Sequence, residues 1–212
     1  LPGGEFYVKR FDAGGMSSGL VSPGFWREKA LPLLAQRFLA ATTHAPVDCR
    51  KFTEKELDKL LEAALASNLE FLEWLLARTK FASGELRYHW SRSNRPWGKV
   101  EIEVPSADGG PPQRIWREGE TDVLVVFEGR HGQRVSLHIE NKRPGGKFLP
   151  YQAEGYAARA AKWANSPKHG NYTDWQTMLV APQSVIDQNP ATAEQFELVI
   201  AYEALQAFIP AF

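Results

Sequence analysis

The chain of 212 residues reads as an α/β protein, a central mixed sheet flanked by helices, in the order helix, three antiparallel strands, helix, strand. Three observations predict this. Residues 54–66 and 68–80 carry apolar side chains at helical spacing, either as two helices or as one helix kinked at Ser67-Asn68. The runs TDVLVVFE (121–128) and RVSLHIENK (134–142) alternate around a GRHGQ turn, as a β-hairpin does. An alanine-rich segment from Pro150-Tyr151-Gln152 to about Asn165 reads as a helix, followed by a strand near Gln176–Val180.

Composition narrows the classes. Hydrophobic residues at 43% and charged residues at 24% are ordinary for a globular domain. The single cysteine, Cys49, excludes an intramolecular disulfide framework and a cysteine-based zinc cluster. Histidines 44, 89, 131, 138 and 169 are too scattered for a His-rich metal site. No apolar run approaches the roughly 20 residues of a membrane span, and no signal-peptide pattern opens the sequence, so a cytoplasmic protein with no membrane partner is expected. A first residue of Leu1 suggests a processed chain or a piece of a longer one.

The zero net charge hides two basic blocks, 86–117 and 142–172, on either side of an acidic one at 118–141. Such patterning suits a basic surface beside an acidic pocket.

The elements follow in order. Residues 1–50 are expected to form an N-terminal arm and helix, apart from a domain spanning 51–212. Glycines 3, 4, 14, 15 and 19 make the first 22 residues a loose arm, and Pro23 to Ala41 reads as a helix with Phe25, Trp26, Leu33, Leu34 and Phe38 on its apolar face. Thr53 with Glu56, and Ser67 with Glu70, are capping-box patterns that start the next two helices. Past Gly84 the alternation of Leu86, Tyr88 and Trp90, and later of Val100, Ile102 and Val104, is of strand type, and Asp108–Pro112 is a turn. Near the C-terminus, Pro190 and Ala193 begin a helical turn, FELVIAY (196–202) is a strand and 203–208 a short helix.

The hairpin register follows from its residues. With the turn centred on His131, paired positions sum to 262. Val123, Val125 and Phe127 then face Ile139, Leu137 and Val135 on a wholly apolar side, and a shift by one residue would bury polar side chains along its length. On the other side Leu124 faces His138 and Asp122 faces Glu140, with Lys142 two residues further on the same face. Opposed carboxylates repel. A divalent cation bridging them turns repulsion into binding, and hard oxygen donors suit magnesium or manganese. An adjacent ammonium can orient water or neutralise charge on a phosphate. An ordinary polar strand end has the same residue types.

Asp122, a hydrophobic strand, then Glu140-Asn141-Lys142 at the end of the next strand resemble the PD-(D/E)XK nuclease superfamily. Gln152 and Tyr156 on the following helix are similar to the Gln-x-x-x-Tyr motif of its RecB-like branch. The resemblance covers roughly residues 54 to 202, with Thr121 in place of the family's usual proline. It implies a restriction-endonuclease-like core and a magnesium-dependent nuclease whose partner is nucleic acid, DNA favoured over RNA. It leaves open a homodimer or a place in a larger assembly. The alternative is a nuclease-fold module that binds nucleic acid or a protein without cutting.

The resemblance implies Asp122 and Glu140 as metal ligands, Lys142 as the residue that assists the attacking water, and Gln152 as a placer of substrate or water. A further acid on the preceding helix comes from Glu62, Glu70 or Glu73. Glu70, in a first turn, is the choice, although it can equally serve only as the cap partner of Ser67. Gln152, Tyr156, Arg159 and Trp163 share one helix face. Tyr156, Arg159 and Lys162 are the expected nucleic-acid contacts, with a half-buried core role open to Tyr156 and Trp163. His138 is expected to be a packed polar residue rather than a ligand. The block 86–117 interleaves six basic residues with Tyr88, Trp90, Trp97 and Trp116, a pattern that fits either phosphate and base contacts or a core strand pair.

Overall fold

The computed structural model describes residues 6–12, 15–21, 49–93, 97–106 and 108–212. Two compact units divide the chain, Leu1–Pro46 and Val47–Phe212.

In the first unit, β1 (Phe6–Asp12) pairs antiparallel with β2 (Gly15–Val21), Asp12 opposite Gly15. The expected loose arm is therefore a strand pair. The aromatic and β-branched residues of FYVKRFD favour extended backbone, a signal that the glycine count masked. The helix expected over Pro23–Ala41 lies outside the described residues.

The second unit is α/β. A 3-10 turn at Cys49–Lys51 leads into α1 (Glu54–Ser67), whose start is fixed by a complete capping box. The Thr53 amide donates to Glu56 Oε2 at 2.8 Å, and the Glu56 amide donates to Thr53 Oγ at 3.3 Å. The helix breaks where expected and resumes as α2 (Leu69–Leu76). The cap at that break is Asn68, not Ser67: its Oδ1 accepts from the Phe71 amide at 3.0 Å, while the Ser67 hydroxyl donates back to the Ala63 carbonyl. Ser67 still belongs to the first helix, so its side chain faces that helix's last turn and has no free amide to cap. Turns, not helix, occupy the residues after Leu76 that the sequence assigned to the second helix.

Five strands make the mixed sheet, in the spatial order β3 (Arg87–Ser93), β6 (Val123–Glu128), β7 (Arg134–Asn141), β8 (Asp174–Ala181), β9 (Leu198–Ala201). β6 runs antiparallel to its neighbours β3 and β7, and β8 and β9 add in parallel to β7. The β6–β7 register is the one read from the sequence, with Val123 opposite Ile139, Leu124 opposite His138 and Glu128 opposite Arg134. The strand at Val100–Val104 does not join this sheet. It belongs to β4 (Trp97–Val104), which pairs with β5 (Gln113–Glu120) in a separate two-stranded ribbon.

Helices cover both faces. Val123, Val125, Phe127, Leu137, Ile139, Met178 and Val180 pack on Leu57, Leu61 and Leu65 of α1 and Phe71 and Leu75 of α2. On the opposite face, α3 (Gln152–Trp163) sets Tyr156 against Leu179 and Phe196, and Trp163 against Leu124 and Val126. Short helices α4 (Gln183–Gln188), α5 (Pro190–Ala193) and α6 (Tyr202–Leu205) complete the C-terminal part. The ribbon lies on α3 through Val100, Ile102 and Val104. Two glycines paired across it, Gly98 and Gly119, make its closest approach, because a Cβ at Gly98 would stand 2.6 Å from the Trp163 ring and one at Gly119 2.7 Å from Arg159. No helix among the described residues is long and apolar enough to cross a membrane.

Candidate metal centre and its surroundings

Three carboxylates converge at one end of the sheet. Glu54, Asp122 and Glu140 each offer an oxygen, and these oxygens all lie within 4.8 Å of one another. Each is carried by a different element. Asp122 stands one residue before β6, Glu140 near the end of β7, and Glu54 is the first residue of α1, held there by the capping box at Thr53.

Asp122 and Glu140, expected from the register, are therefore together, and Lys142 is with them. Its Nζ lies 2.5 Å from Glu140 Oε1. Glu140 Oε2 is buried and has no hydrogen-bond partner. Glu70 is not there; it is exposed in the first turn of α2, outside the acidic cluster. The preference for a helix's first turn suits Glu54, but it was applied to the second helix of the pair rather than to the one whose start faces the sheet end.

A buried polar network holds the cluster in place. The Asn141 amide donates to Asp122 Oδ2 at 2.8 Å, the Asn141 side-chain nitrogen donates to Asp58 Oδ1 at 2.8 Å, and the Tyr202 hydroxyl donates to Asn141 Oδ1 at 2.6 Å. Asp58 is four residues after Glu54, one turn further along α1. Sequence reading missed both acids. The available signal was a charged residue, Asp58, placed beside the apolar helix positions Leu57, Leu61 and Leu65.

Burial sets the electrostatics. Loss of water, with Glu140 and Asp58 nearby, pushes the Asp122 carboxyl well above its usual range. Burial likewise raises Glu54, with Glu140 and Glu120 adding to the effect. Asp58 is pushed up to about 7, again first by burial. Burial alone would lower the Lys142 ammonium, but the Glu140 carboxylate beside it wins and the net shift is upward.

The residues expected on the face of α3 divide. Gln152 lines the cavity beside the carboxylates, with its Oε1 accepting from the Leu149 amide at 3.0 Å. Tyr156 is fully buried, and its hydroxyl accepts the Asp122 amide at 3.1 Å, so it braces the site from within and is closed to nucleic acid. Arg159 is 3% exposed, donates to the Glu120 carbonyl at 2.8 Å and stacks over the Tyr156 ring. It ties the ribbon to α3 and also lines the cavity over the carboxylates. The one-face spacing was sound, but the face points inward. Lys162 is exposed; its Nζ donates to the Lys99 carbonyl at 2.7 Å, outside the cavity. Trp163 is buried, and so is His138, whose Nε2 lies 2.9 Å from the Tyr172 hydroxyl.

The cavity over the carboxylates has a volume of about 240 Å³. Its far wall is Arg117 to Glu120 of β5 and Tyr151 at the start of α3.

No family model and no solved structure matches the chain. Among curated proteins it is similar to Sulfhydryl oxidase 2 of Arabidopsis thaliana, 28% identical over 104 residues, covering 46% of this chain and 19% of that protein. It is also similar to the tRNA(Met) cytidine acetyltransferase TmcA of Citrobacter koseri, 24% identical over 133 residues, covering 61% of this chain and 18% of that protein. The chain thus spans less than a fifth of the length of either relative.

Proposed function

We propose that the protein is a metal-dependent phosphodiesterase acting on nucleic acid, DNA before RNA, on a restriction-endonuclease-like core of the PD-(D/E)XK kind. The observation that carries this reading is the convergence of Glu54, Asp122 and Glu140 beside Lys142, with one Glu140 oxygen buried and unpartnered. A carboxylate oxygen taken out of water without a partner is costly, and a cation supplies the missing partner. Oxygen-only donors fit magnesium or manganese, held by Glu54, Asp122 and Glu140.

Such an ion would polarise a phosphate oxygen and make a neighbouring water more acidic. The chain's own residues do the rest. Lys142 remains an ammonium, given its upward shift beside Glu140, so it acts as a donor and a positive charge toward the phosphate, not as a proton acceptor. Asp122 is aimed by the Asn141 amide, and Tyr156 fixes the backbone beneath it. Gln152, anchored through Oε1, keeps Nε2 as a donor over the cavity. The likeness to a sulfhydryl oxidase does not favour thiol chemistry, since Cys49 is the single cysteine and a dithiol pair needs two.

Calorimetric titration with magnesium and manganese, on the wild type and on Asp122→Ala, combined with a cleavage panel of linear, circular and single-stranded DNA and of RNA, tests the reading. Abolished metal binding in the variant, with magnesium-dependent cleavage by the wild type, is the expected result. Metal binding without cleavage of any substrate would favour the non-cutting module, and no metal binding would overturn the site.

A further inference from the structure

A second cavity, of about 300 Å³, opens beside the first. The two share Glu54 and Lys142 as lining and otherwise have different walls. The first is bounded by Arg117, and the second by the loop Arg143-Pro144-Gly145-Gly146-Lys147.

Among the described residues, several cations on these two walls lack the ion pairs that four arginines elsewhere make. Arg87, Arg114, Arg130 and Arg134 each sit on a glutamate. Arg117, Arg143 and Lys147 make no ion pair among the described residues, although the cavities they line hold Glu54 of the acidic cluster. Arg117 lies 5.5 Å over the Tyr151 ring, and its buried Nε has no hydrogen-bond partner. Tyr151 itself has a positive φ of 60°, a conformation uncommon for a residue with a side chain.

Two glycines shape the turn of this loop. Gly145 has φ 74°, and a Cβ at Gly146 would stand 2.9 Å from the Arg143 carbonyl. The Gly146 amide closes this turn onto that carbonyl at 2.9 Å. Two glycines here leave an open floor, with Arg143 and Lys147 exposed on either side of it.

We infer that Arg117 on one side of the acidic cluster, and Arg143 with Lys147 on the other, bind the phosphates that flank the phosphodiester placed at Glu54, Asp122 and Glu140, so that the ligand is a strand running through the site and not a strand end. This rests on the phosphodiesterase reading above. A mononucleotide or terminal phosphate would use the cations of one wall only. A through-running strand uses both, and a polyanion crossing three carboxylates needs cations on each flank to offset the repulsion.

The test measures binding of a short DNA strand against salt concentration, with calcium in place of magnesium. It compares the wild type, Arg117→Ala, the double variant Arg143→Ala/Lys147→Ala, and Lys168→Ala as a control on exposed surface away from both cavities. Each flank variant is expected to flatten the log–log salt slope by about 0.7 to 0.9 for every phosphate it no longer neutralises, with the control unchanged. In parallel, covalently closed circular DNA, which has no ends, is expected to be cut with magnesium. Slopes equal to the wild type in the flank variants would overturn the inference whatever the cleavage result. Degradation of linear DNA with closed circles left intact would also overturn it and leave the nuclease reading standing. Flattened slopes with no cleavage of either form would keep the strand track and remove the nuclease reading.

Discussion

The main-chain amide of Asn141 donates to Oδ2 of Asp122 at 2.8 Å, so the strand that carries Glu140 and Lys142 also aims the carboxylate of the strand beside it. Because the donor is backbone, this bond does not depend on the Asn141 carboxamide. Aim and anchorage are therefore separable: the amide orients Asp122, while the carboxamide ties the strand end to α1 through Asp58 and to α6 through Tyr202.

Replacing Asn141 by Leu leaves the buried Asp58 carboxylate and the Tyr202 hydroxyl without their partner and is expected to cost about 3 kcal/mol. Tyr202→Phe removes one bond and should cost about 1.5 kcal/mol. Chemical denaturation measures both. In Tyr202→Phe the stabilisation by manganese should persist, since the bond from the Asn141 amide to Asp122 is untouched.

Metal should raise the melting temperature, because it binds the folded carboxylates and not the unfolded chain; at a hundredfold excess over Kd the gain is about 2.7 kcal/mol. That gain should vanish in Glu54→Gln, Asp122→Asn and Glu140→Gln and remain in Glu70→Gln. A thermal shift abolished in Glu70→Gln but kept in Glu54→Gln would reverse the assignment of the third acid.

Much of this site was legible in the sequence. The alternation in 121–128 and 134–142 allowed one parity only, which put Asp122 and Glu140 on one face. Glu54 and Asp58 were hidden because nothing in a single sequence says which of two consecutive helices starts at the carboxylate-bearing end of the sheet. The burial of Tyr156 was missed for a related reason. Spacing identifies residues that share a helix face, but the ribbon that turns this face inward pairs residues on either side of a loop, and its second strand, Gln113–Glu120, is too polar to stand out.

Two buried groups give the metal-free protein opposing pH dependences. His138 is lowered to about 3 by burial, with Arg159 and His169 adding to the effect. The Tyr172 hydroxyl donates to the Ala160 carbonyl, so His138 Nε2 carries the hydrogen toward Tyr172 and Nδ1 is bare. The unfolded chain takes a proton on this histidine below about 6.5 and the folded one does not, so its contribution falls on acidification. Asp58 has the opposite sign. Its folded value near 7 lies above the unfolded value of about 3.9, so its contribution is full below pH 4 and is lost as pH rises through 7. Between about pH 4 and 6.5 the two slopes oppose. Asp58→Asn should therefore steepen the acid loss of stability in chelator and raise stability at pH 8. A pH profile in Asp58→Asn identical to the wild type would show that Asp58 does not titrate as described.

Metal binding should release protons, because Asp122 and Glu54 are both raised in the metal-free protein and must ionise to ligate. Apparent affinity should increase with pH, and the titration heat should change with the ionisation enthalpy of the buffer. Heats that do not vary with the buffer would contradict the raised carboxyls.

The notch at Gly98 and Gly119 reaches beyond packing. Arg117 to Glu120 form the outer wall of the cavity, and they stand on the same ribbon that these two glycines let down onto Trp163 and Arg159. The width of the opening is therefore gauged in part at Gly98 against Trp163, a contact outside the cavity lining. A methyl group at residue 98 would act as a wedge under the wall, and the bore of the site would grow without any change to the carboxylates themselves.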